Sequence, residues 1–70
     1  MRIRDLREDA DLTQCELAKR LHIRQSTYSQ YESGARQIPI SVLITLAEFY
    51  HTSTDYLLEL TDQRKPYPRR

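Results

Sequence analysis

Two helices separated by about three residues constrain this chain more than any other feature. Thr13 and Glu16 have the spacing of a capping box, which predicts that a helix begins just after Thr13. The apolar face of that helix consists of Leu17, Ala18 and Leu21. Residues 22–24 interrupt the helical repeat, and a third helix over about residues 24–32 has to follow at once. Helices joined by so short a connection cross steeply.

The rest of the chain is also patterned as helix. A short charged helix is predicted over residues 2–9, a mostly apolar one over 40–51, and a final one over 55–60 with Ser53 as its N-cap. Gly34 is the only glycine and is suited to end the third helix in the left-handed conformation. No stretch alternates like a strand. The sequence therefore predicts an all-α domain of five helices.

The net charge of +1 conceals an uneven distribution of charge. Residues 1–60 hold seven Lys or Arg against nine Asp or Glu, whereas residues 61–70 hold four against one, together with two prolines. We therefore expect one small domain over 1–60, of marginal stability, followed by a basic and extended C-terminal tail over 61–70.

The residues capable of catalysis or metal binding do not form a recognisable pattern. Cys15, His22 and His51 lack the close spacing of metal ligands, and no acid–base group stands near the cysteine in sequence. We expect no catalytic activity, metal or cofactor. One cysteine and no long apolar run indicate a cytoplasmic chain without a membrane span.

Several short motifs, in a fixed order, carry a resemblance to a known family. They are Leu6-Arg7, Leu12-Thr13-Gln14, Glu16-Leu17-Ala18, Ser26-Thr27, Tyr31-Glu32-Ser33-Gly34, Leu46-Ala47, and Ser53 through Leu58. Together they make residues 2–60 resemble the XRE family of bacterial and phage regulators, of the lambda-repressor and Cro type. The resemblance implies a lambda-repressor-like fold of five helices, in which helices two and three form a DNA-reading helix-turn-helix.

The third helix has two different faces. Tyr28 and Tyr31 fall on one side and are expected to pack on the core. The opposite arc, about 140° wide, holds only amides and hydroxyls. Its members are Gln25, Ser26, Ser29 and Gln30. Such groups can read base edges in the major groove, and Gln25 is the best candidate for a bidentate contact with adenine. The alternative is an ordinary solvated helix face.

Phosphate contacts have to come from outside that arc. The candidates are Gln14, Arg24, Thr27, Arg36 and Gln37. The resemblance places Gln14 at a position that typically contacts phosphate. It also implies an ion pair between Arg7 and Glu32 that ties helix one to helix three. The basic tail is either a solvated end or an arm that reaches the minor groove.

This sequence departs from the family pattern at three positions. His22 and His51 stand where the family usually has glycine, and histidine is one of the residues that tolerate the left-handed region. Arg24 replaces the Ser or Thr that often caps the third helix.

More apolar residues are present than a body of this size usually buries. They are Ile40, Val42, Ile44, Phe49, Tyr56 and Leu60. Among them we select Ile40, Ile44, Tyr56 and Leu60 as candidates for a two-fold interface. A symmetric dimer would place two third helices about 34 Å apart on a palindromic site.

The sequence thus favours a transcriptional regulator that binds double-stranded DNA as a homodimer and represses, without a small-molecule ligand. The alternative is a protein-interaction or antitoxin-like module on the same fold, in which DNA binding is secondary.

Overall fold

Five helices make up the computed structural model of the chain, which describes residues 1–65. They are α1 (Ile3–Asp9), α2 (Gln14–Leu21), α3 (Gln25–Ser33), α4 (Ile40–Phe49) and α5 (Thr54–Leu57). Ser53 caps α5 as predicted, accepting a hydrogen bond from the Tyr56 amide at 3.1 Å. The all-α architecture is confirmed, and no strand occurs within the described residues.

The core draws side chains from all five helices. Its buried members are Ile3, Leu6, Leu17, Ala18, Tyr28, Tyr31, Leu43, Leu46, Ala47, Tyr50 and Leu57. The predicted burial of Tyr28 and Tyr31 is confirmed, and the small side chain of Ala18 lets α2 and α3 approach closely. Val42 and Phe49, which looked surplus in the sequence, are partly buried against this core.

Four helices end with a non-glycine residue in the left-handed region. Asp11, His22, His51 and Glu59 have φ values between 53° and 63° and follow α1, α2, α4 and α5. After each of them, the next amide donates to the carbonyl five residues earlier, as in a Schellman motif. The left-handed conformation expected at the two histidines is confirmed, and the same conformation at Asp11 and Glu59 has no glycine-like signal in the sequence.

Two helices end earlier than the sequence pattern predicts. α4 stops at Phe49 and does not reach His51, because a left-handed residue cannot continue a right-handed helix. α5 stops at Leu57 and does not reach Leu60, because Glu59 reverses the backbone in the same way.

Three of the first five residues of the predicted tail, Thr61, Asp62 and Arg64, make hydrogen bonds to the body. Arg2 Nη2 donates to Asp62 Oδ1 at 3.0 Å, and Thr52 Oγ1 donates to the carbonyl of Arg64 at 2.6 Å. Residues 66–70, which complete the predicted tail, lie outside the described part of the chain.

Arg7 and Glu32 tie α1 to α3. Arg7 Nε donates to Glu32 Oε2 at 2.6 Å, and Arg7 Nη2 donates to Oε1 at 3.1 Å. Gln14 Nε2 donates to the same Oε1 at 3.1 Å, and Arg7 Nη1 donates to the Leu12 carbonyl at 2.8 Å. Only 4% of the Glu32 side chain is exposed, and 13% of Arg7. The expected pair is present and also holds the start of α2.

Burial and charge shift the pKa of the groups around this pair. Burial raises the pKa of Glu32, but its contacts with Arg7, Tyr28 and Gln14 outweigh burial and lower that pKa overall. The Tyr28 hydroxyl makes no hydrogen bond within residues 1–65, so Arg7 and Gln14 supply the hydrogen bonds of this carboxylate. Burial, reinforced by the charge of Glu32, raises the pKa of Tyr28 and brings that of Tyr50 to about 12. Glu32 is therefore ionised at neutral pH and both tyrosines are neutral.

Gly34 ends α3 at φ 83°, and a methyl group added there would meet nothing within 4 Å. We expect Gly34→Ala to lower the free energy of unfolding by about 1 kcal/mol through backbone strain alone. Gly34→Asn, which tolerates this conformation better, should cost less. Urea unfolding with an unchanged m-value is the measurement. Equal losses for Ala and Asn would contradict the backbone explanation.

Glu32→Gln should lower the free energy of unfolding by about 3 kcal/mol, because it leaves the Arg7 charge without a partner in a mostly buried site. The figure lies at the low end for breaking a buried pair, since Arg7 keeps some contact with water. The double variant Arg7→Leu/Glu32→Leu should lose clearly less free energy of unfolding than the summed losses of Arg7→Leu and Glu32→Leu. Urea unfolding of all three variants is the measurement.

Acid should destabilise the folded protein by protonating the Glu32 carboxylate. The pKa of Glu32 is lower in the folded state than its unfolded value of about 4.3, so its stabilisation is complete above that pH and is lost as the pH falls through the folded pKa. The wild-type free energy of unfolding should therefore fall more steeply with acid than that of Glu32→Gln. Parallel pH profiles would refute this assignment.

Candidate nucleic-acid interface

The start of α2 is fixed by reciprocal hydrogen bonds. The Glu16 amide donates to Thr13 Oγ1 at 3.0 Å, and the Thr13 amide donates to Glu16 Oε1 at 3.0 Å. These bonds complete the predicted capping box. The hydrogen bonds from Thr13 lower the pKa of the Glu16 carboxyl. α2 therefore begins at Gln14, directly after its Thr13 cap.

The connection between α2 and α3 is a tight turn. His22 is left-handed, and the Ile23 amide donates to the Ala18 carbonyl at 3.0 Å. Arg24 takes the N-cap position of α3 with an extended backbone, and its side chain makes no capping hydrogen bond. The start of α3 therefore lacks a side-chain cap, in line with the replacement of Ser or Thr by Arg24.

The four predicted base-reading side chains share the outer side of α3. Gln25, Ser26 and Gln30 are exposed, while Ser29 is half-buried. Within residues 1–65, none of these four side chains makes a hydrogen bond to the protein. Because Tyr28 and Tyr31 bury the opposite side, this surface is held in place with its amides and hydroxyls unused.

The predicted phosphate-binding residues lie on both sides of that surface. Arg24 and Thr27 stand at the start of α3, exposed and half-buried respectively. Arg36 and Gln37 are exposed beyond its end, where the Arg36 amide donates to the Gln30 carbonyl at 3.2 Å. Gln14 is half-buried at the start of α2 and keeps one amide hydrogen after its bond to Glu32.

One feature beside this surface was missed by sequence reasoning. An open pocket of about 240 Å³ lies between α1, α2 and α3. Its lining residues are Arg4, Arg7, Gln14, Ser29, Glu32 and Ser33. Arg4 was not singled out because its only signal is the spacing of three residues to Arg7, which shows a shared helix face but not what lies opposite.

The side chains considered for catalysis or metal binding lie in or after α2 and α4. Cys15 is half-buried, while His22 and His51 are exposed at helix ends. Residues 1–65 contain no group of three or more His, Cys, Asp and Glu side chains placed to hold a metal ion. No helix among them has the length and apolar character needed to cross a membrane.

Comparison with known proteins bears on the whole domain. A family model described as Helix-turn-helix matches residues 3–57. The chain is similar to an uncharacterized HTH-type transcriptional regulator, YobD, of Bacillus subtilis (strain 168), with 40% identity over 65 residues, which are 93% of this chain and 58% of that protein. It is also similar to the HTH-type transcriptional regulator ImmR of the same organism, with 39% identity over 57 residues, 81% of this chain and 45% of ImmR.

A phage repressor is among the similar proteins. The cryptic phage CTXphi transcriptional repressor RstR of Vibrio cholerae is 39% identical over 49 residues, which are 70% of this chain and 44% of RstR. The chain spans about half the length of these relatives. No solved structure is significantly similar to it. The match over residues 3–57, the five-helix fold and these relatives place the chain in the XRE family of helix-turn-helix transcriptional regulators.

Proposed function

We propose that this chain binds double-stranded DNA with sequence specificity, inserts α3 into the major groove and represses transcription in the cytoplasm. The observation that carries the proposal is the outer surface of α3, where four amide and hydroxyl side chains make no hydrogen bond within the described residues. Side chains that both donate and accept can match base edges, whereas charged ones mainly seek phosphates. The repressor output is inferred from the relative named as a phage repressor.

The charge distribution supports specific rather than general DNA binding. Residues 1–60 carry two more acidic than basic groups, so their net charge gives no general attraction to DNA. Its candidate phosphate contacts, including Arg24 and Arg36, flank the α3 surface. Affinity therefore depends on a small number of placed contacts, and base recognition contributes a large share of it.

A homodimer completes the proposal. Ile40 and Ile44 stand one turn apart on α4 and are 75% and 45% exposed, and Leu60 is 72% exposed. Tyr56 is half-buried beneath the Arg2 guanidinium, which lies 4.3 Å from the ring centre, so it can contribute only an edge. Pairing through the exposed residues would bury apolar surface and double the DNA contacts.

A protein-interaction role on the same fold remains the second candidate. One observation favours it: an open groove of about 650 Å³ whose apolar lining includes Met1, Ile38, Leu43 and Leu58. Such a groove suits an apolar segment of another protein. In that case DNA binding would be secondary.

Selection of bound fragments from randomised duplex DNA separates the two roles. The regulator role requires recovered fragments to share a half-site, with two copies related by a dyad for a dimer. Fragments without any common half-site would exclude specific DNA binding and leave the protein-interaction role.

On the selected site, Gln25→Ala should relax the preference at one base position, since a bidentate amide contact supplies about 1–3 kcal/mol of discrimination. Arg36→Ala is the matched comparison: it should weaken all sequences alike and reduce the salt slope by about one for each subunit. Affinities for a set of single-base variants of the site provide the measurement. If Gln25→Ala weakened every sequence equally, Gln25 would not be a base-reading residue.

Sedimentation at micromolar concentration should give a dimer, and Ile44→Glu should dissociate it because a carboxylate would be buried in an apolar contact. Thr45→Glu adds the same charge at the neighbouring exposed position, away from the Ile40 and Ile44 face, and should leave the dimer intact. A wild-type protein that persisted as a monomer near 8.4 kDa would reject a tight dimer.

A further inference from the structure

We propose that Arg4 contacts a backbone phosphate of the bound DNA, which occupies the open pocket between α1, α2 and α3. This inference rests on the proposed DNA-binding function and adds to it a residue of α1. Two other residues of the pocket, Gln14 and Ser29, belong to the predicted phosphate-binding and base-reading sets. The pocket therefore lies where the DNA backbone would pass beside α3.

The charges in the pocket leave Arg4 as its effective cation. Arg7 is engaged by two hydrogen bonds to Glu32, so these two residues together add no net charge. The Glu32 side chain is only 4% exposed and its carboxylate is neutralised, which keeps it from repelling an anion at the mouth. Arg4 is 69% exposed, and its guanidinium can reach an incoming phosphate.

The present partner of Arg4 can be exchanged at little cost. Arg4 Nε donates to Glu8 Oε1 at 3.0 Å, and the two terminal nitrogens of Arg4 make no hydrogen bond within residues 1–65. Exposed pairs of this kind contribute little to stability. The ion pair is also in the less favourable order, because Arg4 precedes Glu8 along α1. The cation therefore lies near the positive end of the helix dipole and the carboxylate near its negative end. Stability therefore does not explain why an arginine stands at this position.

Neighbouring donors complete the phosphate site. Glu32 accepts one hydrogen of the Gln14 amide nitrogen, which fixes that side chain and leaves its second hydrogen for another acceptor. The Ser29 hydroxyl lines the same pocket and makes no hydrogen bond within the described part of the chain. A phosphate that displaces Glu8 from Arg4 would thus receive a charged donor from Arg4 and a neutral one from Gln14, next to the base-reading Ser29.

The acidic side of α1 turns towards a different pocket. Asp5, Glu8 and Asp9 line that pocket together with Arg2, Leu6 and Tyr56. Glu8 thus belongs to the acidic pocket and, through its hydrogen bond with Arg4, competes with the phosphate for that side chain.

The test compares Arg4→Gln with Arg20→Gln on the selected duplex. Both variants remove one positive charge, but Arg20 lies over the Phe49 ring at 5.6 Å, against α4 and outside the pocket. Arg4→Gln should make the salt slope shallower by about 0.9 for each bound subunit. Raising salt from about 50 to about 200 mM should then weaken the wild type about 3.5-fold more per subunit than it weakens Arg4→Gln. Arg20→Gln should keep the wild-type slope.

A second pair of variants tests the competition at Glu8. Glu8→Gln frees Arg4 and should tighten binding, whereas Asp9→Asn removes the same charge without touching the Arg4 partner and should tighten it less. The extra gain of Glu8→Gln should vanish in the Arg4→Gln background. Replacing one phosphate of the duplex by a neutral methylphosphonate should locate the contact, because that change should weaken the wild type but not Arg4→Gln.

The outcomes separate failure of this inference from failure of the proposed function. A wild-type protein that selects no shared half-site would remove the function itself. A wild type that selects a site, with Arg4→Gln and Arg20→Gln giving the same salt slope and Glu8→Gln matching Asp9→Asn, would overturn only the role of Arg4. If Arg4→Gln were unfolded by circular dichroism, the comparison of Glu8→Gln with Asp9→Asn would decide.

Discussion

The Glu32 carboxylate is the group on which the arrangement of the first three helices depends. It belongs to α3, accepts two hydrogen bonds from Arg7 of α1, and accepts one from Gln14 at the start of α2. A buried ion pair is weak evidence for net stability, because desolvation offsets much of the attraction. The Glu32 carboxylate instead contributes to orientation, because it joins α3 to α1 and to the start of α2.

Packing, not helix propensity, then makes α3 helical. The helix has no side-chain cap and is rich in Ser, Thr and Gln, which give little intrinsic preference for helix. Tyr28 is completely buried and Tyr31 nearly so, and Gly34 ends the helix in the left-handed conformation. Since the buried side does the stabilising, the outer side can hold residues chosen for hydrogen bonding and not for stability.

Features with a local sequence pattern, or with a counterpart in the family, were predictable, and the shape of surfaces where helices meet was not. The capping box at Thr13 and the burial of the tyrosines follow from local spacing and were confirmed. The end of α5 was wrong because the left-handed conformation of Glu59 leaves no distinct sequence signal, and the end of α4 was wrong because the apolar repeat continues to Tyr50, past the last helical residue. The pocket beside Arg4 could not be predicted either, since it exists only where three helices meet.

The net negative charge of residues 1–60 opposes the approach of DNA, which is itself an anion. For the DNA binding proposed above, the acidic balance of residues 1–60 adds no long-range attraction, so each proposed phosphate contact must stand where the helix-turn-helix brings the DNA backbone close. The carboxylates near those contacts must also be neutralised, and Arg7 does this for Glu32. Under the proposed function, weak sequence-independent attraction leaves incorrect sites loosely bound, and discrimination between sites rests on the uncharged surface of α3.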